Sequence, residues 1–559
     1  MSAGLTLEPA QIRRKRHGCN SQKEVDQEGL EEEGLEEEFQ EVIEEGLEEE
    51  SQEEVVHTLT DRSRPCRLAT CESPRLRAFA FLCLALCLTA ACTPSAARGG
   101  GRARASLGEV FARVLADPSL EHSGSAVLVV SLDRGDTLYA READRLYTPA
   151  SNLKLFTAAA ALHYLGPDYR FRTSLLATGR IADDTLRGDL VLVGRGDPDL
   201  DTADLAALAD TLVRRGARVV AGDVRADDSY FEGQEWGPGW MWDDGPFWFW
   251  PYSSALTLND NSVRVRVEPG RNVGDPVVAT LDPPTSYMAL QVSAVTAVAS
   301  ADTTLEVVRR WTPKDNVIEI SGVLPSNVDS LVEIRTVEEP ALYAATVFAE
   351  LLEARGVELL GVVRHGPLAD VPADTIAHHV SDSLAASVRN FLKISDNLTG
   401  EQLVKVIGAE TTGAPGTYET GLAAERAFLA QEVGIDTLSI RLADGSGVSR
   451  YNLVTAGQIV RLLKYMAGRE DLSAAYFTAL PIAGVDGTLE DRMEETPAAG
   501  SARAKTGSLS GVTALSGYVP AADGERLAFS ILMEFFTGPT SSRRAVQDSL
   551  VVELSKFRR

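Results

Sequence analysis

Between about residue 217 and residue 337 the chain changes texture, and this switch constrains its architecture more than any other feature. VRVRVEPG, VVATLDPP, LEVVRRW and VIEISGVL are short alternating runs set off by turn residues, the pattern of half-buried strands. On both sides the pattern is mixed. Ahead of the switch come a helical stretch (SLGEVFARVLAD), two strands joined by an Asp-Arg-Gly turn (SAVLVVSLDRGDTLYAR), an Ala- and Leu-rich helix after Pro149, the run GDLVLVGRGDPDL and a helix at about 201–214. Behind it come helical segments (ALYAATVFAELLEARG, SLAASVRNFLKIS), two strands around Ala-Ala-Asp-Gly (TALSGYVP, RLAFSILMEFF) and a last helix at 541–556. At 559 residues the chain needs more than one core. The order predicts an α/β domain in two parts, 105–200 and 338–559, interrupted by a β-rich insert at 201–337.

The first hundred residues belong to neither unit. Residues 24–54 carry 17 acidic side chains and no Lys or Arg; outside them, 54 basic groups face 64 acidic ones, so the net charge of −27 is largely local. Residues 1–74 therefore read as an acidic low-complexity segment without a core-forming pattern. Arg75 and Arg77 then flank an apolar run of 14 residues, Ala78 to Ala91, which has the length of a signal-peptide core and is short for a membrane span. We read 75–92 as an export signal and 93–104 as a linker. The signal ends in LTAAC, where small residues before Cys92 resemble a bacterial lipoprotein processing site; a cut after Ser95-Ala96-Ala97 is the alternative. Export signals start near an N-terminus, so translation is expected to begin downstream of Met1, at a codon not read as methionine.

All six cysteines precede residue 93, so the remainder has neither a disulfide nor a thiol catalyst. The seven histidines are scattered, His378-His379 being the one close pair, and no metal or cofactor is expected. With nine lysines and no basic stripe, nothing points to nucleic acid. Five of the six tryptophans lie in WGPGWMWDDGPFWFW, residues 236–250. The segment is read first as an anchor for the insert and second as a ligand platform.

Chemistry concentrates in three short motifs. Of the nine lysines only Lys154 has a serine three positions earlier, Ser151; Ser395-Asp396-Asn397 is the one Ser-x-Asn and Lys505-Thr506-Gly507 the one Lys-Thr-Gly. On a helix, positions i and i+3 share a face, so the Lys154 amine reaches the Ser151 hydroxyl. A hydroxyl becomes a nucleophile when a base takes its proton, and burial with a second cation, Lys505, would make Lys154 that base. Lys505 would also attract a substrate carboxylate. Ser395 would relay a proton to the leaving amine, and Asn397 would position lysine and substrate. ARAKTGSLSG reads as a strand in which Gly507 admits a substrate backbone, with the N–H groups of Ser151 and Ser508 as an oxyanion hole. Singly, Ser151 could be a helix cap, Asp396-Asn397 a turn and Lys505 a solvated strand end. No Gly-x-Ser-x-Gly elbow with a supporting histidine competes, and Gly445-Ser446-Gly447 reads as a tight turn.

In this order the motifs resemble those of the penicillin-recognising acyl-transfer enzymes. LVGRGDPDL, DDSYFEGQEWGPGWMWDD, SALTLNDNSV, ADGSGVSRYN and PIAGVDGTLEDR narrow the resemblance to the low-molecular-mass class C penicillin-binding proteins, the D-alanyl-D-alanine carboxypeptidase/endopeptidases of peptidase family S13, over about 105–557. The resemblance implies an α/β (α+β) fold: a β-lactamase/transpeptidase-like domain with β-rich insertion between the Ser-x-x-Lys and Ser-x-Asn motifs, which stand 244 positions apart. It implies an exported, periplasmic or cell-envelope enzyme acting on peptidoglycan stem peptides, with β-lactams as covalent inhibitors and the membrane as a partner if Cys92 carries a lipid. Thr506, Gly507 and Ser508 would bind substrate. Arg450, in GVSRYN, is a candidate contact to the stem or else a surface ion pair, and Asp228 and Phe231 are further candidates for holding the stem side chain. No Glu-x-x-Leu-Asn segment of the class A β-lactamases is present, which favours a stably acylated peptidase. The rival readings are a β-lactamase or esterase on the same scaffold and a non-catalytic wall-binding scaffold.

Overall fold

A computed structural model of the chain describes residues 106–311, 315–367 and 372–559. The acidic segment, the export signal and the linker read from the sequence lie outside these residues. The first helix, Leu107–Val114, starts at a capping box in which Ser106 and Glu109 exchange side-chain-to-backbone hydrogen bonds. Its Phe111 packs against a five-stranded antiparallel sheet. The strand order is Thr137–Arg141, Gly124–Ser131, Arg526–Glu534, Val512–Pro520, Arg503–Leu509, so the last three strands of the chain close onto the first two.

The sheet is buried on both faces, and the period of two divides its side chains between two cores. Val127, Val129, Leu515, Val519, Phe529 and Ile531 face Phe111 and the C-terminal helix Thr540–Lys556. Ala126, Val130, Ala514, Tyr518, Ala528 and Leu532 face a helical layer. At the centre of that layer runs Lys154–Leu165, in which every residue from Lys154 to Leu162 is buried. KLFTAAAALHYL is apolar nearly all round, as a helix enclosed on all sides must be. Around it stand Leu384–Ile394, Asn397–Thr412, Tyr418–Phe428 and Ala456–Gly468.

The inserted region has its own core, and its limits are wider than the texture change suggested. Buried apolar side chains from Leu175 to Ile376 form one cluster that includes Leu192, Val224, Val265, Ile318 and Phe348. A mixed sheet orders its strands Val363–His365, Val224–Asp227, Leu190–Val193, Arg172–Ala177, Asp374–Val380. The 201–337 boundaries therefore need correction: Arg172–Ala177 and Asp374–Val380, far apart in sequence, pair with each other antiparallel and close the unit. Helices Thr202–Arg214 and Pro340–Glu353 contribute to the same core. The alternating runs noted in the sequence form the strands Ser262–Glu268, Val278–Asp282, Glu306–Arg309 and Val317–Ser321, paired in two three-stranded sheets. The mixed helix and sheet architecture agrees with the α/β expectation. Among the described residues no helix is long and apolar enough to cross a membrane.

Candidate active site

Ser151 caps nothing. It lies in a 3-10 turn, Ala150–Leu153, that leads into the Lys154 helix, and neither the turn nor the helix has a side-chain cap hydrogen bond. Both residues were expected on one α-helix; in a 3-10 turn positions i and i+3 eclipse, which brings them together more directly. The Lys154 Nζ donates to Ser151 Oγ at 3.0 Å, to Asn397 Oδ1 at 2.6 Å and to the Ser446 carbonyl at 2.7 Å. Three acceptors satisfy an ammonium fully enclosed by protein. Burial lowers the lysine to about 8, against the opposing charges of Asp396, Asp444 and Glu401.

The second motif stands at a junction between helices. Leu384–Ile394 ends on Ser395 in the left-handed region at φ 63°, and Asp396 caps the next helix by accepting from the N–H groups of Leu398 and Thr399. The tight reversal aims Ser395 and Asn397 at the same space. Asn397 uses both ends of its amide, accepting from Lys154 and donating through Nδ2 to the Phe249 carbonyl at 2.6 Å.

The third motif lies on the edge strand Arg503–Leu509. Lys505 Nζ donates to Ser395 Oγ and to the Thr506 carbonyl, both at 2.9 Å. It is fully buried, and burial, then the charge of Lys154, holds it well below the usual lysine range. The strand lies hard against the serine turn: Asn152 Nδ2 donates to the Lys505 carbonyl at 3.0 Å. A Cβ on Gly507 would stand 2.8 Å from the Pro149 carbonyl oxygen and 3.1 Å from the Ser151 nitrogen, so glycine is required there by close approach.

The other expected residues stand around this centre. Thr506 Oγ1 donates to Thr488 Oγ1 at 2.7 Å. Ser508 is exposed, its Oγ accepting from Arg544 at 3.0 Å. Arg450 is exposed and donates to the Ser510 carbonyl at 2.7 Å, just past the end of the same strand. Asp228 lies in the insert with both oxygens engaged, one 2.8 Å from His365 Nε2 and the other accepting from Ser254 at 3.0 Å. Phe231 packs at the border of the helical core, with the Lys405 ammonium over its ring.

Gly445-Ser446-Gly447 is more than a tight turn. The loop is buried under Ser151, where a Cβ on Gly447, at φ 87°, would meet the Ala150 carbonyl oxygen. Its amides close on two buried carboxyls. Glu401 accepts from Ser446 N at 2.8 Å, and Asp444 accepts from Gly447 N at 2.9 Å and Ser449 N at 2.6 Å. The Trp-rich segment reaches the same place, since Trp240 Nε1 donates to Asp444 at 2.9 Å. Trp240 and Trp250 are buried, as an anchor requires, whereas Trp242 is 70% exposed and Trp248 53%. Sequence reasoning missed Asn152, Glu401, Asp444 and Ser446. Asn152 lies between Ser151 and Lys154, and Asp444 ahead of Gly445 and Gly447 was a visible signal; a role carried by a main-chain carbonyl leaves no mark on a side chain.

A serine, a buried lysine in hydrogen-bond contact with it, a second lysine and an edge strand form an arrangement suited to serine acyl transfer. Comparison with known proteins makes the assignment more specific. The profile of the D-Ala-D-Ala carboxypeptidase 3 (S13) family matches residues 107–556, and the chain belongs to that family. It is 40% identical over 481 residues to a D-alanyl-D-alanine carboxypeptidase of Actinomadura sp. strain R39, covering 83% of this chain and 87% of that one. It is 31% identical over 401 residues to the D-alanyl-D-alanine carboxypeptidase DacB of Haemophilus influenzae, covering 70% and 82%. Among solved structures, penicillin binding protein 4 (dacB) of Haemophilus influenzae superposes with a TM-score of 0.72 at 28% identity, covering 80% of this chain and 99% of that one. A complex of the same protein with a β-lactam superposes at 0.66.

Proposed function

We propose that this protein is a serine-type D-Ala-D-Ala carboxypeptidase, with D,D-endopeptidase action on cross-links, working on peptidoglycan stem peptides through an acyl-enzyme on Ser151. The observation that carries the reading is the lysine shared by Ser151, Asn397 and Ser446. With Lys154 lowered to about 8, a useful fraction is neutral near physiological pH and can take the Ser151 proton. Oγ then attacks the carbonyl carbon of the penultimate D-Ala, while the N–H groups of Ser151 and Ser508 receive the oxyanion. The terminal carboxylate lies toward Lys505, whose buried amine pairs with that anion. As the C–N bond breaks, the proton held on Lys154 passes to the leaving amine through Ser395, which Lys505 orients. Water then attacks the ester and restores Ser151.

The open edge of the Lys505 strand supports binding of an extended peptide as an added strand. Arg450, beyond the strand's end, is assigned to the stem. Asp228, paired with His365, is assigned to an outer part of the stem site. β-Lactams acylate the same serine. We place the protein in the cell envelope, exported by the signal at 75–92, with Cys92 as lipid acceptor. Mass spectrometry of the mature N-terminus should find a lipidated Cys92; a free end at Arg98 would instead support the cut after Ala97.

Activity is tested by incubating the exported part with an N-acylated peptide ending in D-Ala-D-Ala and with a cross-linked muropeptide dimer. Release of D-Ala or monomer is expected from wild type and from no Ser151→Ala sample. Rapid turnover of a chromogenic cephalosporin without peptide hydrolysis would contradict the reading and favour a β-lactamase.

A further inference from the structure

Resting on the reading of Lys154 as the base, we propose that Asp444 is a positioning residue that acts on the Lys154 ammonium through a single peptide group, Ser446–Gly447. The carbonyl of that peptide accepts from Lys154 Nζ at 2.7 Å, and its N–H donates to Asp444 Oδ1 at 2.9 Å. The peptide is thus held between a cation at its oxygen and a carboxyl at its nitrogen. An anion at the nitrogen polarises the group, makes the carbonyl a stronger acceptor and favours the charged lysine.

Two buried carboxyls lie beneath this loop, and like charges so close do not both ionise readily. Geometry decides between them. Asp444 accepts four hydrogen bonds, from Gly447 N, Ser449 N, Trp240 Nε1 at 2.9 Å and Asn452 Nδ2 at 2.7 Å. Glu401 accepts from two amides, Ser446 N at 2.8 Å and Gly445 N at 3.3 Å. The negative charge therefore sits on Asp444, and Glu401 holds the proton. Burial raises both carboxyls; at Asp444 the hydrogen bonds from Ser449, Trp240, Asn452 and Gly447 work against that rise, whereas at Glu401 the charge of Asp444 adds to it, which agrees with that division.

The other groups facing the pair do not replace this role. Lys154 is also faced by Asp396, whose carboxylate is spent on the helix cap, by Lys505 from the strand, and by the Phe391 ring at 6.0 Å. Glu425 and Tyr418, from the helix Tyr418–Phe428, face both Asp444 and Glu401, with the Tyr418 hydroxyl on the Glu401 side. Asp444 is the carboxyl joined to Lys154 by a continuous hydrogen-bonded path. The donor from Trp240 makes the inserted region a contributor to the state of the base.

The test is the second-order rate of acylation by a fluorescent penicillin from pH 5 to pH 10. In wild type the rate should rise through an acid limb that reports loss of the Lys154 proton. Asp444→Asn removes the charge that favours the ammonium, so the limb should move to lower pH by about one unit. A lower rate with an unmoved limb would overturn the proposal, since a loop scaffold alone does not shift a titration. Glu401→Gln mimics the protonated acid and should leave the limb in place. If it moves the limb down instead, the charge resides on Glu401 and the proposal fails, whether or not Asp444→Asn folds. Absence of labelling in folded wild type would overturn the reading of Ser151 and Lys154 themselves.

Discussion

Lys154 carries its ammonium into a site with no water contact and finds three oxygens there. That arrangement keeps the lysine within reach of neutrality without leaving it unpaired. The acylation rate should accordingly climb with pH to a plateau above about 8, the value to which burial lowers this group; a rate flat from pH 6 to 9 would argue against lysine as base. Gly507→Ala tests the closeness of strand and serine turn. The added Cβ meets backbone at 2.8 Å, so turn and strand must separate, and a shift of that kind should cost about 100-fold in acylation while thermal unfolding changes little. Asn152→Ala should destabilise the protein by about 1–3 kcal/mol in denaturant titrations, because the buried Lys505 carbonyl loses its donor. The five motif residues were legible in the sequence because each chemistry needs a particular side chain. Their supports were less so: Ser446 and Phe249 act through main-chain carbonyls that any residue could supply.

Among the elements, the helix Tyr418–Phe428 holds a feature that the mechanism does not use. Glu425 is fully buried, and neither of its carboxyl oxygens has a hydrogen-bond partner among the described residues. Burial raises it to about 8. A carboxyl with a raised folded value binds its proton more tightly when folded, so it costs stability as pH rises from about 4.5 through 8. Glu425→Gln should therefore melt higher than wild type at pH 8 and nearly level with it at pH 5; equal melting at both would show that the group ionises without penalty. Hydrophobic periodicity read most helices and the alternating strands correctly. It could not tell that Ser151 lies in a 3-10 turn, which differs from an α-helix only in the reach of its first hydrogen bonds. Nor could it pair Arg172–Ala177 with Asp374–Val380, a non-local match between two short strands.

At the scale of the molecule, the serine and the two other motifs come from segments that meet only when the insert folds back on itself. Its core is one contiguous stretch between Leu175 and Ile376, separate from the two cores that sandwich the catalytic sheet. A fragment spanning 170–382 should thus unfold cooperatively on its own in a thermal scan; a fragment without a transition would show that the insert depends on the catalytic domain. The contacts that matter for chemistry cross between the units, through Phe249 to Asn397 and Trp240 to Asp444. The texture change disclosed the insert, but its aromatic segment was read as an anchor or a platform and not as a support for Asn397 and Asp444. All of this converges on one serine. The most direct measurement is covalent labelling of residues 93–559 by a fluorescent penicillin, beside Ser151→Ala, with peptide mapping of the adduct. A stable adduct on Ser151 in wild type and none in the variant is the expected result. A folded wild type that neither retains nor hydrolyses the penicillin, or an adduct that persists in the variant, would contradict the assignment of Ser151 as nucleophile.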